Sequence, residues 1–346
     1  MTVRKAGMPS IRRWLVPVGL GLAALYAAAL NLFLAVRLLT GYRFWPVALF
    51  SNFLHIALLP SFALLPVLLL QRHWAGSAML GLNVMAFGWL FGELFLPNQA
   101  DGCEGADQCP ALSVMTLNLG SDLAEAAPER IYEVVAESGA DVIAFQEVNA
   151  SHAAMIQTDL FAAYPYQVIY SPGDGTLGIA LISRYPVVEA EPFYLSISWL
   201  PYQRVTLDVD GRQVAIINVH PPPPGLSLDP RRMYFSRSLD DMAGLVALAD
   251  NGAPTILLGD FNVTDQSEDY RILAASNLSD AYREVGFGFG LSYPANRLYG
   301  YTDTRTVPLV RIDYIWHTDH LAASRAWVGA DVGSDHLPML AELVWQ

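Results

Sequence analysis

The acidic residues of this chain are confined to one part of it, and that asymmetry limits what each part can fold into. The chain has 33 aspartates and glutamates among 346 residues, yet only Glu93 precedes residue 101. Three stretches in the acid-poor part are almost free of charge, Trp14–Val36, Pro46–Leu70 and Trp74–Leu96, with Glu93 near the end of the third the single exception. Each has the roughly 20 residues needed to cross about 30 Å of hydrocarbon, so three transmembrane helices are expected within residues 1–97. A cleaved signal peptide would share the basic lead of Arg4, Lys5, Arg12 and Arg13, but the first apolar run outlasts a signal core and two more follow it. An uncleaved anchor is therefore expected. The second stretch is the weakest, because Ser51, Asn52, His55, Pro60 and Pro66 interrupt it. In the third, Gly88 and Gly92 have the spacing that lets helices approach closely.

Basic residues cluster before and just after the first stretch and are absent from the twenty residues that follow the third. With three crossings, the positive-inside rule places the N-terminus in the cytoplasm and everything after Leu96 outside, in a protein of the plasma membrane. The only cysteines, Cys103 and Cys109, lie in the connecting segment 98–110. Outside the cytoplasm such a pair is expected to close a small disulfide loop. A zinc site would need two further ligands that no nearby Cys or His offers.

From residue 111 onward the pattern becomes short apolar runs bounded by turn formers. Ala111–Leu117, Asp141–Phe145, Leu177–Ile182, Gln213–Val219, Thr255–Leu258 and Arg311–Trp316 read as strands, and Pro128–Ser138 and Arg231–Leu248 as helices. The tetraproline Pro221–Pro224 must be a stiff, non-helical loop. Many strands with a few interspersed helices mean an α+β domain over 111–346.

Several of these strands end in an acid, an amide or an imidazole. They deliver Asn118, Glu147, His220, and the pair Asp260 and Asn262, which would share a face if the backbone stayed extended. Asp335 and His336 follow Gly333-Ser334 near the end of the chain. Asp313 differs, for it sits inside the apolar run Arg-Ile-Asp-Tyr-Ile-Trp, where a carboxylate is costly without a partner. A histidine is the natural one, since an Asp that accepts from one imidazole nitrogen raises the basicity of the other. Taken singly, a strand-end Glu is usually solvated and Gly-Asp-Phe-Asn could be a turn. Together, this pool of carboxylate and amide oxygen selects hard cations, Mg²⁺ or Mn²⁺.

The sequence here resembles the endonuclease/exonuclease/phosphatase superfamily, which includes DNase I-like nucleases, abasic-site endonucleases, neutral sphingomyelinases and inositol-polyphosphate phosphatases. The resemblance runs from about Leu112 to the C-terminus. It rests on Thr116-Leu117-Asn118, Phe145-Gln146-Glu147, Asn218-Val219-His220, Gly259-Asp260-Phe261-Asn262, Arg311-Ile312-Asp313-Tyr314-Ile315 and Gly333-Ser334-Asp335-His336, in that order. It implies a DNase I-like four-layer α/β/β/α sandwich and a metal-dependent hydrolase of phosphoric esters. Glu147 would be the principal Mg²⁺ ligand, with Asn118 and Asp335 close to the metal. Asp260 would align and deprotonate the attacking water, and Asn262 would hold that water or a phosphate oxygen. His336, oriented by Asp313, would neutralise the phosphoryl group, and His220 would be a second phosphate contact and proton donor. Arg184, in Ile-Ser-Arg-Tyr-Pro-Val, resembles a substrate-binding segment, though a strand-end surface arginine reads equally well. The tetraproline and Tyr301-Thr302-Asp303 depart from the family's pattern where specificity is commonly set.

Charge narrows the substrate. From residue 101 the chain has 32 acids, 13 arginines and no lysine, a net charge of −19. Long nucleic acids are bound mainly through arrays of Lys and Arg, so a lipid head group or small phosphate at the bilayer surface is the expected substrate. An extracytoplasmic nuclease and a catalytically silent membrane binding module are the competing readings. The orientation is tested with a membrane-impermeant thiol reagent on intact cells, which should label Cys103 and Cys109 only after reduction. Labelling confined to lysed cells without reductant would place them in the cytoplasm.

Overall fold

The structure, a computed structural model, describes residues 12–41, 44–96, 111–120, 128–171, 178–195, 200–223, 235–295 and 306–346. Cys103, Cys109 and the segment 98–110 lie outside the described residues, as do Arg231 and Tyr301–Asp303. The chain divides into two compact units, Met1–Glu93 and Leu94–Gln346.

The first unit is helical: α1 (Arg12–Thr40), α2 (Trp45–Ser51), α3 (Leu54–Leu58), α4 (Pro60–Leu70) and α5 (Trp74–Phe91). Two segments, Leu15–Thr40 and Trp74–Phe95, are long and apolar enough to span a bilayer. The expected middle span is not one helix, which corrects the count of three. Pro46 and Pro60 each sit in a first helical turn, where a missing N–H is harmless, and so mark fresh starts. What remains, Leu54–Leu70, is shorter than a full crossing. Two crossings return a chain to the side it started from, so the orientation argued from three spans loses its premise. Inside this unit Tyr26 Oη donates to the Ala57 carbonyl and meets Ser61 Oγ at 3.1 Å, and Asn31 Nδ2 donates to the Met79 carbonyl at 3.0 Å. Polar groups thus join α1 to α3, α4 and α5, while Leu22, Leu25, Leu32, Leu39 and Trp89 face outward. Gly88 and Gly92 face open space, with no neighbouring helix against them.

The second unit contains two six-stranded sheets. In the first, β1 (Ala111–Asn118), β2 (Val142–Val148), β3 (Tyr166–Tyr170), β4 (Gly178–Ser183), β11 (Leu321–Val328) and β12 (Met339–Trp345) lie in the order β11-β12-β1-β2-β4-β3. The second has β5 (Val187–Phe193), β6 (Tyr202–Val209), β7 (Arg212–Val219), β8 (Thr255–Asp260), β9 (Leu278–Asp280) and β10 (Asp313–Thr318) in the order β5-β6-β7-β8-β10-β9. Each sheet is antiparallel except for one central parallel pair, β1 with β2 and β7 with β8. A parallel pair needs a crossover. The connections contain α6 (Pro128–Ser138) and α8 (Phe235–Ala249).

Period-two alternation sorts the strand side chains into two faces. Val114, Val142, Ala144 and Leu181 point into a core shared with Val205, Leu207, Val214, Ile216 and Leu258 of the other sheet. Met115, Leu117, Ile143 and Phe145 point the other way, against Ile131 and Val135 of α6 and Met155 and Ile156 of α7 (Ala150–Thr158). On the far side Ile217, Val219 and Leu257 meet Met242 and Leu245 of α8 and Tyr270 and Leu273 of α9 (Glu268–Ala274). Helices on both outer faces give an α+β sandwich of two mixed sheets, as expected. Apolar runs in the sequence reveal six of the twelve strands among the described residues. They do not reveal β6, whose half-buried alternate positions are polar, or β11, whose small residues carry little apolar signal.

The second unit also buries an ion pair. Arg311 Nη1 and Nη2 donate to the two carboxylate oxygens of Asp280 at 3.0 and 2.8 Å, and Tyr270 Oη donates to Asp280 Oδ2 at 2.8 Å. Asp280 also caps the short α10 (Ala281–Val285) by accepting from the Tyr282 and Arg283 amides. The guanidinium lies over the rings of Tyr282 and Tyr314. Breaking one side of such a pair strands a buried charge. Asp280→Ala should cost about 3–5 kcal/mol. In a thermal scan of the detergent-solubilised chain, the second unit should melt roughly 10 °C lower.

Candidate active site

The central parallel pairs set the location of the site. β1, β2, β7 and β8 all bring their carboxyl ends to one end of the sandwich, and Asp313 enters beside them because it pairs directly with Asp260 across β10 and β8. Local backbone then aims each side chain. Glu147 is the unpaired residue of a bulge, between Gln146 opposite Ile179 and Val148 opposite Gly178. Its φ of 56° lies in the left-handed region, which costs energy in a non-glycine residue and turns the side chain out of the strand's alternation. A Cβ on Gly178 would overlap the Val148 carbonyl, so glycine is required opposite the bulge. Gly259, at φ 147°, is needed for the same reason against the Val219 carbonyl.

Asp260 Oδ2 is the hub of the site. Asn118 Nδ2 donates to it at 3.0 Å, and His220 Nε2 and His336 Nε2 stand 3.5 and 3.6 Å away. Asn118 Nδ2 also donates to Glu147 Oε1 at 3.2 Å, and His220 Nε2 lies 3.6 Å from the same oxygen. His336 Nδ1 faces Asp313 Oδ2 at 3.0 Å, the partnership expected for a buried strand carboxylate. Asp260, Asp313 and His336 are all buried, and Tyr293 stacks against the His336 ring at 4.8 Å.

These contacts move the titrations. Burial pushes the Asp260 carboxyl up to about 6, and Asp313 adds to the rise while both histidines oppose it. Burial alone would lower the His336 imidazole, but Asp313 and Asp260 outweigh it and carry it up to about 10. Asp335 is raised by burial and by the neighbouring charge of Glu147, against the pull of His336.

Asn118, expected close to the metal, has its side-chain oxygen accepting from the Gly120 amide at 2.9 Å and its amide nitrogen facing the carboxylates. The expectation for Arg184 needs correction. Arg184 lies at the opposite end of its strand from the site. It pairs with Asp141 at 3.0 Å, donates to the Gly139 carbonyl and stacks on Tyr164. Ser183 pairs with Val142 while Gly178 pairs with Val148, so about 17 Å of strand separates Arg184 from Glu147. Asn262 is brought in, though not along an extended strand. Its φ is 56°, its amide N–H donates to Asp260 Oδ1 at 2.8 Å, and its Nδ2 donates to the Pro221 carbonyl at 2.9 Å. Ser334 carried no sequence signal of its own. Its hydroxyl donates to the Asn118 carbonyl at 2.8 Å and accepts from the His336 amide at 3.1 Å, which fastens the Asp335–His336 loop to β1.

The donor set fits a hard divalent cation. Glu147 and Asp335 repel each other in a half-buried space, which a cation between them would relieve. Atoms of Asp260, Asp313 and His336 also lie within 4.8 Å of one another. That trio is better described as an imidazolium between two carboxylates, because an imidazolium carries a proton on each nitrogen and has no lone pair to give a metal.

A profile of the Endonuclease/Exonuclease/phosphatase family matches residues 115–336. No curated protein matches the chain. Among solved structures, it is similar to an endonuclease/exonuclease/phosphatase from Beutenbergia cavernae DSM 12333, with 22% identity over 68% of this chain and 72% of that one and a TM-score of 0.52. A family protein from Bacteroides thetaiotaomicron gives 20% identity over 69% and 96% of the two chains, with a TM-score of 0.54. One from Leptotrichia buccalis C-1013-b gives 18% over 68% and 100%, also with a TM-score of 0.54. At these identities the likeness concerns the fold.

The His336–Asp313 pair has a measurable consequence. A folded-state pKa of about 10, above the ordinary 6.5, means a stabilising contribution that is complete below about pH 6.5 and lost as pH rises through 10. In the metal-free protein, the His336 ring protons should hold a constant NMR shift from about pH 6 to 9. In Asp313→Asn they should titrate within that range. Identical titrations would remove Asp313 as the cause.

Proposed function

The chain belongs to the Endonuclease/Exonuclease/phosphatase family, whose members hydrolyse phosphoester bonds, and on that basis we propose that it is a Mg²⁺-dependent, membrane-anchored phosphoesterase acting on a lipid head group or another small phosphoester. The observation that carries the reading is the convergence of Asn118, His220 and His336 on one buried carboxylate, Asp260, with Glu147 alongside.

Asp260 is suited to accept a proton from an attacking water, since a carboxyl near pH 6 is ionised at neutrality yet more basic than a solvated one. His336, kept charged by Asp313, presents Nε2–H toward negative charge building on a phosphoryl oxygen. His220, 3.5 Å from the same Asp260 oxygen, is placed to donate to a leaving oxygen. Asn118 holds the Asp260 and Glu147 carboxylates in fixed relation. Asn262 secures the Pro221 loop after His220 and orients Asp260 through its backbone amide. Glu147 and Asp335 would hold the cation, Mg²⁺ or in its place Mn²⁺, which when bound neutralises phosphoryl charge as a Lewis acid.

Charge and anchoring supports the choice of substrate. The second part of the chain carries a net charge of −19, and Arg184, the arginine expected to offset phosphate, is tied to Asp141 instead. Two histidines and one cation suit a single head group better than a polyanionic backbone. The two long apolar helices, embedded in a bilayer, would raise the effective concentration of a lipid substrate.

Chelation should abolish turnover by the detergent-solubilised chain, and Mg²⁺ or Mn²⁺ should restore it. Glu147→Gln should lower kcat/KM by about 100-fold or more and weaken the metal response with it. Measured in one buffer at physiological salt, kcat/KM should be higher for a lipid phosphodiester or an inositol phosphate than for duplex DNA. The reverse order would make the protein a nuclease, and no turnover of any phosphoester would leave it a binding module.

A further inference from the structure

Two motif residues have no place in the chemistry above. Gln146 precedes Glu147 and Asn218 lies two before His220, and both side chains are completely buried. Gln146 Nε2 donates to Asn218 Oδ1 at 2.8 Å and to Thr116 Oγ1 at 3.0 Å. Asn218 Nδ2 donates to Gln203 Oε1 at 2.9 Å and to the carbonyls of Ala180 and Phe145 at 3.0 and 3.2 Å. Gln203 Nε2 in turn donates to the Val168 carbonyl at 3.2 Å. Thr116, Gln146, Phe145, Ala180 and Val168 belong to the first sheet, and Asn218 and Gln203 to the second. The chain of bonds therefore crosses between the sheets.

From this we propose that the Thr116–Gln146–Asn218–Gln203 network is a registration key that holds the two sheets at the spacing the active site needs, with Gln146 and Asn218 as positioning residues. The inference rests on the phosphoesterase reading and deepens it. The rest of the inter-sheet core is apolar and mostly aliphatic. Aliphatic packing is non-directional, so it resists separation of the sheets far better than a small slide of one over the other. Hydrogen bonds in a dry interior are directional and costly to break. The network occupies the layer directly below the site, since Thr116 and Asn118 share a face of β1, and Asn218 leads to His220. The site itself is assembled across the same gap. Asn118 of the first sheet reaches Asp260 of the second at 3.0 Å, and Glu147 of the first faces His220 after β7 at 3.6 Å. A displacement of about 1 Å there is worth on the order of 100-fold in rate.

The test replaces the whole key by apolar groups of similar shape, Thr116→Val, Gln146→Met, Gln203→Met and Asn218→Leu together in the full chain. Removing all four side-chain partners at once strands no side-chain polar group and costs the Phe145, Ala180 and Val168 carbonyls one donor each, so the loss of stability should be modest. The melting temperature should stay within a few degrees of wild type, while kcat on bis(p-nitrophenyl) phosphate falls at least about tenfold with KM nearly constant. In a crystal structure of the variant, Asn118 Nδ2 and Asp260 Oδ2 should no longer be within hydrogen-bonding distance. Gln146→Met alone, with the same three measurements, serves if the fourfold variant does not fold. If the variant's Asn118–Asp260 distance and kcat both match wild type, the key is only core packing and the proposal is overturned. Wild-type protein inert toward every phosphoester would defeat the enzymatic reading instead, and the crystallographic distance would still decide the registration proposal.

Discussion

Four carboxylates, Glu147, Asp260, Asp313 and Asp335, meet at one end of this sandwich, two of them fully buried. Negative charge held that close in a poorly solvated space is unfavourable unless it is divided among partners. The division is visible residue by residue. Asp313 is matched by His336, Asp260 is shared among Asn118, His220 and His336, and Glu147 keeps only longer contacts to Asn118 and His220. The charge left over lies on Glu147 and Asp335, the residues that would hold the proposed cation. The same imbalance raises Asp260 toward neutrality and holds His336 protonated, so one electrostatic constraint underlies each part of the proposed chemistry.

Meeting that constraint takes both sheets. Neither sheet alone brings together Asn118, Glu147, His220 and Asp260; a parallel pair at the centre of each turns four strand ends the same way. Antiparallel hairpins alone would send alternate strand ends to opposite ends of the sandwich. The crossovers that parallel pairing requires supply the helices that cover the outer faces. Topology, outer layers and site position are thus consequences of one another. The polar layer beneath the site, in an otherwise apolar interface, belongs to the same arrangement, because a site built across two sheets is only as well defined as their relative register.

The first unit solves a different problem. Many of its outward residues are large and apolar, while Tyr26, Asn31 and Ser61 turn inward and join α1 with its neighbours. That distribution inverts the usual pattern of a water-soluble helical unit and suits a surrounding bilayer, where interior polar contacts hold helices together.

Much of this was legible without coordinates, and the boundary follows the range of the forces involved. The acid-poor stretches, the short alternating strands and the buried position of Asp313 are local properties, written within a few residues, so composition and period were enough to read them. Asp313's need for a partner followed from desolvation, and histidine was the natural candidate. Six spaced motifs in order were enough for the family and hence the two-sheet fold. Other features depend on residues far apart in the chain. Arg311 finds Asp280 thirty-one residues away, Arg184 is claimed by Asp141 at the wrong end of its strand, and Asn118 turns its nitrogen to carboxylates because Gly120 takes its oxygen. The bulge that aims Glu147 exists only because β4 pairs out of step with β2. The apolar stretch 46–70 met the length of a span, yet its prolines divided it into short helices. Sequence by itself determined which residues needed partners; tertiary structure decided which partners they found, because hydrogen-bond direction and strand register are settled only when distant segments meet.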